Sequence, residues 1–562
     1  MSAIPLHEGY NATSFSRMSP ADTDLSDNLL VDSLPHEEQP LLDNLLHCST
    51  ESTESEIPRN SSARSSVTTR SEAITSTARK RTIYVTLKSV RIKTLLYTSL
   101  VAVMITMLAF GYDMGFSSPT LHDLDQNNGE HVYFKKTIYH DVFNALGSAG
   151  AIIGTPLVGW LADYSGRQFT IVLCSAPLTI GWFLIMISSD ITGPLFRPVL
   201  FIGRFVNGMG IGGMMLIVPL YLAEISPKSL RGTISTLNQL AIAVGVLLPQ
   251  ALGTELHYVW LSVAALAILL VLVPLSTTLK ESPRWLISHG RYREARRVLV
   301  WLRGPNYNVE VEQNEIETQL LGKSKLTVIE VFKEATTRPV FYPMILSTLV
   351  MFIQQFSGIK AVIYNGQSIY EQGGVKDAAT VTAITIGGVM FVATIPGAIL
   401  ADILGRKILL VSGNIIMCLS MAALSVYDLL RNEPYCRPPD DPKCRDDLQP
   451  LAITAMIAYI IGFSTAWGAL PWLIASELIP LRVRGIGVGV VSCFNWIFSM
   501  IVLLSFGSYQ DAVKPWGVFL SFGIINLLSV IFVGVFIPET KGKSLEEIEL
   551  NFNSRQKQYI PL

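Results

Sequence analysis

Two charged side chains lie where the surrounding sequence is apolar: Asp113 inside the first long hydrophobic run and Arg204 near the start of the fourth. An unpaired charge at the centre of a bilayer costs about 2.5–3.5 kcal/mol on insertion scales, so each calls for a partner. A carboxylate beside a guanidinium stays ionised, and one whose partner is drawn away takes up a proton. The pair can therefore couple a process to protons, or stand as a static ion pair or a hydrated vestibule charge. Lys360, in the seventh run, is an alternative partner for Asp113. The same run holds the adjacent amides Gln354 and Gln355. Such side chains both donate and accept hydrogen bonds, which suits a ligand rich in hydroxyls and also suits bonding between helices.

A second set of charges repeats in order. Asp163-Tyr-Ser-Gly-Arg167 follows the second run and Asp402-Ile-Leu-Gly-Arg406 the eighth. Glu224 precedes Arg231-Gly232 by seven residues after the fourth run, and Glu477 precedes Arg484-Gly485 at the same spacing after the tenth. The sixth and twelfth runs end in Glu281-Ser-Pro-Arg284 and Pro538-Glu-Thr-Lys-Gly542. Taken singly, each charge reads as an interfacial anchor. The repeated order points instead to a gate, in which acids and bases at one end of the bundle pair when that end closes.

The elements that carry these residues follow from composition. Of 562 residues 50% are apolar and only 15% are charged, against roughly 25% charged in soluble domains, so the bulk of the chain partitions into lipid. A net charge of −1 supplies no basic stripe for nucleic acid. Residues 1–93 are polar and poor in aromatics, the composition of a disordered tail. With no cleaved-signal pattern ahead of the first apolar run, the tail is expected to stay cytoplasmic. Twelve runs near the ~20-residue length of a spanning helix follow. Six (Leu95–Pro119, Asp141–Tyr164, Phe169–Ser189, Pro198–Ala223, Ile234–Gly253 and Val259–Thr277) form a first half, 94–278. A linker, 279–339, carries Arg291, Arg293, Arg296 and Arg297 in a pattern suited to short surface helices. Six more (Val340–Tyr370, Ala378–Ile403, Ile408–Leu429, Leu451–Ala475, Ile486–Ser508 and Trp516–Ile537) form a second half, 340–538, before a tail, 539–562. The basic short loops fall on the side of the N-terminal tail, which makes that side cytoplasmic. The predicted fold is an all-α membrane protein of twelve transmembrane helices in two pseudo-symmetric six-helix halves, with a ligand site at their interface.

No nucleophile–base pair or metal-ligand cluster stands out, so neither an enzyme, a cofactor nor a metal site is expected. Cys174, Cys418 and Cys493 read as buried hydrophobes, whereas Cys436 and Cys444, together in a polar loop, are candidates for a disulfide if that loop faces an oxidising compartment. Gly208, Gly210, Gly212 and Gly213 crowd one stretch of the fourth run, where small residues let helices approach closely. In the tail, Glu37-Glu-Gln-Pro-Leu41-Leu42 resembles an acidic dileucine sorting signal, readable by a clathrin adaptor and directing a protein to endosomal or lysosomal membranes.

The ordered repeats, with Gly203-Arg204, Gln354-Gln355-Phe-Ser-Gly358 and Pro471-Trp472, resemble the sugar porter family of the major facilitator superfamily over roughly Leu95 to Ser544. The segment Phe110-Gly-Tyr-Asp-Met-Gly-Phe-Ser-Ser-Pro119 is most similar to its intracellular hexose and trehalose carrier branch. The resemblance implies carriage of a hexose, disaccharide or polyol by alternating access, with a sugar site at Gln239, Gln354, Gln355, Trp472 and Asn495. It also implies that Asp113 is the protonation site of a symporter, with Arg204 as partner. Two positions depart from the family: Lys360 stands where Asn is usual, and Met390 where glucose carriers often have Asn. Lys360 in the site would bind an acidic sugar, partner an acidic side chain, or point into a watery vestibule. Two other readings stay open: a sensor that signals through the tail, and a carrier of acidic sugars or organic anions.

Overall fold

The computed structural model describes residues 92–126, 137–191, 193–227, 231–304, 307–321, 337–432, 442–480 and 483–541. Glu37, Leu41, Leu42 and Cys436 lie outside them, as do the side chains of Arg231, Asp402, Cys444 and Arg484.

The first half contains α1 (Ile92–Gln126), α2 (Thr137–Ser165), α3 (Arg167–Ile187), α4 (Phe196–Ile225), α5 (Arg231–Leu252) and α6 (Tyr258–Ser276). Three short linker helices follow, α7 (Pro283–Ser288), α8 (Tyr292–Arg303) and α9 (Val309–Leu321). In the second half, the seventh passage is α10 (Arg338–Gln354) and α11 (Lys360–Gln372), joined by a π-helical turn, Gln355–Ile359. The eighth is α12 (Ala378–Thr382) and α13 (Val389–Leu404), and the ninth is α14 (Arg406–Asn432). The tenth is α15 (Pro442–Gly462) and α16 (Leu470–Leu478), joined by the turn Phe463–Trp467. The last helix, α17, runs from Arg484 to Phe536.

Among the described residues, nine helices are long and apolar enough to cross a bilayer. One of these is the Gly485–Phe536 stretch of α17, 52 residues long. It breaks at Lys514, with φ 63° and ψ 160°, just before Pro515, because proline has no N–H to continue the ladder and restricts the residue ahead of it. It therefore makes two passages, and with α1 and α5 the total is twelve. The polar loop expected between Ser508 and Trp516 is helical up to this break, and α1 continues past Pro119 to Gln126.

Side-chain distribution follows the solvent. Leu270 (77% exposed), Val271 and Trp160 face outward, as apolar groups do where the surroundings are lipid tails. The interior is the polar layer: Asp113, Arg204, Asn207, Gln354, Gln355, Lys360 and Asn495 are all buried. Within the first half α2 packs on α4, α1 on α5 and α3 on α4, and α14 packs on α15 and α17 in the second. The α2–α4 contact depends on missing side chains, since a Cβ on Gly150 would lie 2.0 Å from the Phe205 carbonyl oxygen and one on Gly208 2.1 Å from that of Gly147. The two halves meet where α17 crosses α2, α11 meets α1 and the eighth passage meets α5. Linker helix α8 buries Ala295, Leu299 and Leu302. Its Arg303, 2% exposed, donates to the Ile225 carbonyl and to Glu312, which ties the linker to the end of α4.

Candidate functional site

α1 and α4 bring the two intramembrane charges together. Arg204 Nη1 donates to Asp113 Oδ1 in a fully buried ion pair. The next turns of the same helices complete it: Ser117, four residues after Asp113, accepts from Arg204 Nη2 at 2.5 Å, and Asn207, three after Arg204, donates to Asp113 Oδ1 at 3.1 Å. The guanidinium also lies 4.9 Å from the Phe143 ring centroid, an attraction strengthened in a dry setting. Both partners belong to the first half, so they travel together if the halves rock. The i,i+4 and i,i+3 spacing that recruits Ser117 and Asn207 is visible in the sequence.

The second half faces this pair with a broken helix. Gly358 has φ 101°, a conformation open to glycine at little cost, and a Cβ there would lie 2.7 Å from the Phe522 ring. The break leaves the Ser357 carbonyl outside the regular ladder, where it accepts from Tyr459 Oη (3.1 Å) and Asn526 Nδ2 (3.3 Å). Discontinuous helices of this kind line transporter binding sites, since irregular backbone in a membrane is tolerated only where protein or a cavity satisfies it.

The amides divide their labour. Gln354 Nε2 donates to the Trp467 carbonyl at 2.7 Å, joining the seventh and tenth passages. Gln355 Nε2 donates to Asn495 Oδ1 at 2.6 Å, while its own Oε1 is buried without a partner. Gln239 is buried on α5 with its Nε2 against Gly468, where a Cβ would come within 2.8 Å. Trp472 is half-buried and packs with Met344 and Val488 on a separate small cluster that includes Val340, Met351 and Ala475. The indole at the centre is Trp496, beside Asn495, with its Nε1 buried and unpaired. Lys360 is buried too, its Nζ 5.4 Å from the ring centroid of Phe110, 5.3 Å from Tyr364 and 5.5 Å from Trp496. Met390 is buried on the eighth passage.

The repeated charges sit at the linker end. Arg167 binds Glu224 at 3.1 Å and Asp163 at 3.1 Å, and Arg406 approaches Glu477 at 3.8 Å. Glu281 accepts from the backbone N–H groups of Arg167 (2.8 Å) and Gln168 (3.2 Å), and Glu539 does the same for Arg406 and Lys407 at 3.0 Å each. Both acids thus sit on the exposed N–H groups that open a helix. Each is met there by a glycine at positive φ, Gly166 (99°) or Gly405 (96°). Burial pushes the Glu281 carboxyl above its ordinary range despite the backbone donors. At Glu539 burial pushes upward too, but the N–H groups of Lys541, Lys407, Arg406 and Thr540 together outweigh it and hold the carboxyl below its ordinary range. Arg284 is half-buried at the start of α7.

Among the described residues, several polar contacts join the halves toward the opposite end. Ser118 accepts from the Gln367 N–H at 3.0 Å, His122 Nδ1 meets Glu371 at 2.6 Å, and Asp141 accepts from the Gly507 N–H at 3.1 Å. Nearer the centre Asn144 donates to Asn365 (3.3 Å) and Ser148 pairs with Ser499 (2.9 Å).

This architecture has close counterparts. A solved structure of the major facilitator superfamily proton:xylose symporter XylE bound to 6-bromo-6-deoxy-D-glucose superposes with a TM-score of 0.66 over 82% of this chain and 99% of its own, at 24% identity. A partially occluded inward-open form of XylE from E. coli gives 0.65 over 80% and 100%, at 23% identity. The Arabidopsis thaliana protein "Sugar transporter ERD6-like 6" is 31% identical over 79% of this chain and 88% of its own length. The Mus musculus "Solute carrier family 2, facilitated glucose transporter member 8" is 30% identical over 80% and 92%. The Apis mellifera ligustica "Facilitated trehalose transporter Tret1" is 30% identical over 80% and 87%. Residues 98–552 match the family model described as "Sugar (and other) transporter". That match spans most of the chain, and the chain belongs to this family of sugar (and other) transporters.

Proposed function

We propose that this protein carries a sugar across a bilayer by alternating access, its two halves rocking about the central polar layer. The observation that carries the reading is the buried polar layer to which both halves contribute, Gln355 bonded to Asn495 on the broken seventh and the eleventh passages and Asp113 bonded to Arg204 in the other half. Asp113 is the coupling carboxylate: when substrate arrival loosens Arg204, the buried charge is neutralised by a proton rather than left bare. The linker end faces the cytoplasm, in keeping with its basic short loops, so both termini are cytoplasmic.

Glu37, Leu41 and Leu42 send the protein to endosomal or lysosomal membranes through an adaptor, and replacing both leucines by alanine brings a tagged protein to the cell surface. Unchanged location would refute this part. On that surface-trapped form, radiolabelled sugar uptake at about pH 5.5 and about pH 7.5 tests the mechanism, with Asp113→Asn alongside. Acid-stimulated uptake that Asp113→Asn removes supports symport. Equal uptake at both pH values with either residue makes Asp113 structural and the protein a uniporter.

A further inference from the structure

The buried layer carries an odd charge. Asp113 is paired with Arg204 inside the first half, which leaves Lys360 of the second half as an excess positive charge with no ion pair among the described residues. Three rings surround its ammonium, Phe110 from α1 and Tyr364 and Trp496 from the second half, all between 5.3 and 5.5 Å. Ring faces favour a cation and exclude water, yet they accept no conventional hydrogen bond, so the ammonium has donors to spare. Other buried groups on or against the same passage lack partners. Trp496, one of the three rings, offers an N–H donor, Gln355 Oε1 on the turn ahead of Lys360 offers an acceptor, and so does Oδ1 of Asn144, whose Nδ2 donates to Asn365. Buried polar atoms are almost always satisfied, and each exception calls for an explanation.

One ligand answers all of these at once. We infer that the central site takes a sugar bearing a single carboxylate, such as a hexuronate or an aldonate, with Lys360 and the Trp496 N–H holding the carboxylate and the amides of Gln355 and Asn144 taking hydroxyl protons. This deepens the sugar-carrier reading and rests on it. A neutral hexose satisfies the amides and leaves the excess cation uncompensated. A small inorganic anion compensates the cation and leaves the amides bare. Only a polyhydroxylated anion does both.

The test uses the purified full chain in proteoliposomes, with counterflow of radiolabelled glucuronate and glucose and with gluconate, inorganic phosphate and chloride as competitors. Wild-type protein is expected to prefer glucuronate over glucose at least about tenfold, with gluconate competing and the inorganic anions not. Lys360→Asn should lose about 100-fold in glucuronate affinity, the order expected for breaking a buried ion pair, and far less in glucose affinity; Lys360→Arg should keep the preference. Glucose uptake with glucuronate neither entering nor competing would overturn this inference and leave sugar carriage standing. Movement of neither sugar by any form would overturn both. Competition by phosphate or chloride as strong as that by gluconate, or equal loss of both sugars in Lys360→Asn, would also overturn it, the latter by making Lys360 structural.

Discussion

Replacing Gly166 by alanine should damage the protein far more than one methyl group suggests. Gly166 precedes α3 with φ 99° and ψ 165°, a region essentially closed to other residues, where strain is of order 1–3 kcal/mol. Its new Cβ would also stand 2.3 Å from Glu281 Oε2, so the carboxylate must leave the Arg167 and Gln168 N–H groups it now accepts from. Hydrogen bonds to a charged group contribute roughly 1.5–3 kcal/mol each. Partial loss of two, added to the strain, brings the cost to about 3–6 kcal/mol. Two glycines separate the contributions. Gly290 has φ 73° with nothing within 4 Å of a Cβ, and Gly489 has open space and no positive φ. Gly290→Ala should therefore show backbone strain alone, about 1–2 kcal/mol, and Gly489→Ala, inside α17, no loss or a gain of up to about 1 kcal/mol. Thermal melting of the purified variants in one detergent gives the ranking, and Gly405→Ala, with Glu539 Oε2 2.7 Å from its Cβ, should fall beside Gly166→Ala. A Gly166→Ala protein melting no lower than Gly290→Ala would refute the clamp.

The two clamps should differ in pH dependence. Glu281 has its carboxyl raised from an ordinary 4.5, so its ionised form is disfavoured by the fold, and stability from this group grows as pH falls toward that range. Glu539 has its carboxyl lowered, so it contributes stability above about 4.5 that is lost as pH falls through the lowered value. Melting near neutral pH should show Glu281→Gln tolerated and Glu539→Gln destabilised; the reverse order would contradict the assignment. Gly150→Val should prevent α2 from seating on α4, given a Cβ 2.0 Å from the Phe205 carbonyl oxygen, and the readout is loss of monodisperse protein on size exclusion. Trp496→Ala should weaken substrate binding at least about tenfold, the order of losing one aromatic contact and one buried donor, whereas Trp472→Ala should lower the melting temperature first. Binding measured by ligand-induced thermal shift separates the two, and equal loss of binding would return Trp472 to the site.

Hydropathy is a property of contiguous residues, so the twelve passages and the two halves were legible without coordinates. The break in α17 fell where Pro515 removes a backbone donor, although the polar residues before it read as loop. The demand that Asp113 and Arg204 find partners was equally local, since it follows from the cost of a charge in an apolar run. The choice of partner was not. Whether Asp113 meets Arg204 or Lys360 depends on how α1, α4 and α11 are arranged, and packing settled it for Arg204, with Asn207 and Ser117 completing the shell. Likewise Pro471-Trp472 drew attention to Trp472, whereas the fold packs that side chain on the small cluster that includes Val340 and Met351 and buries Trp496 among the rings around Lys360. The repeated charges suggested pairing across neighbouring helices, and Arg167 meets Glu224 and Arg406 approaches Glu477 in that way, but nothing in the sequence showed that Glu281 and Glu539 would sit on the backbone N–H groups that open α3 and α14. The sequence by itself determined what must be buried and what must be compensated, because those costs are set residue by residue. Only the tertiary structure decided who compensates whom, because partners such as Asp113 and Arg204 are 91 residues apart in the chain and meet through the packing of whole helices.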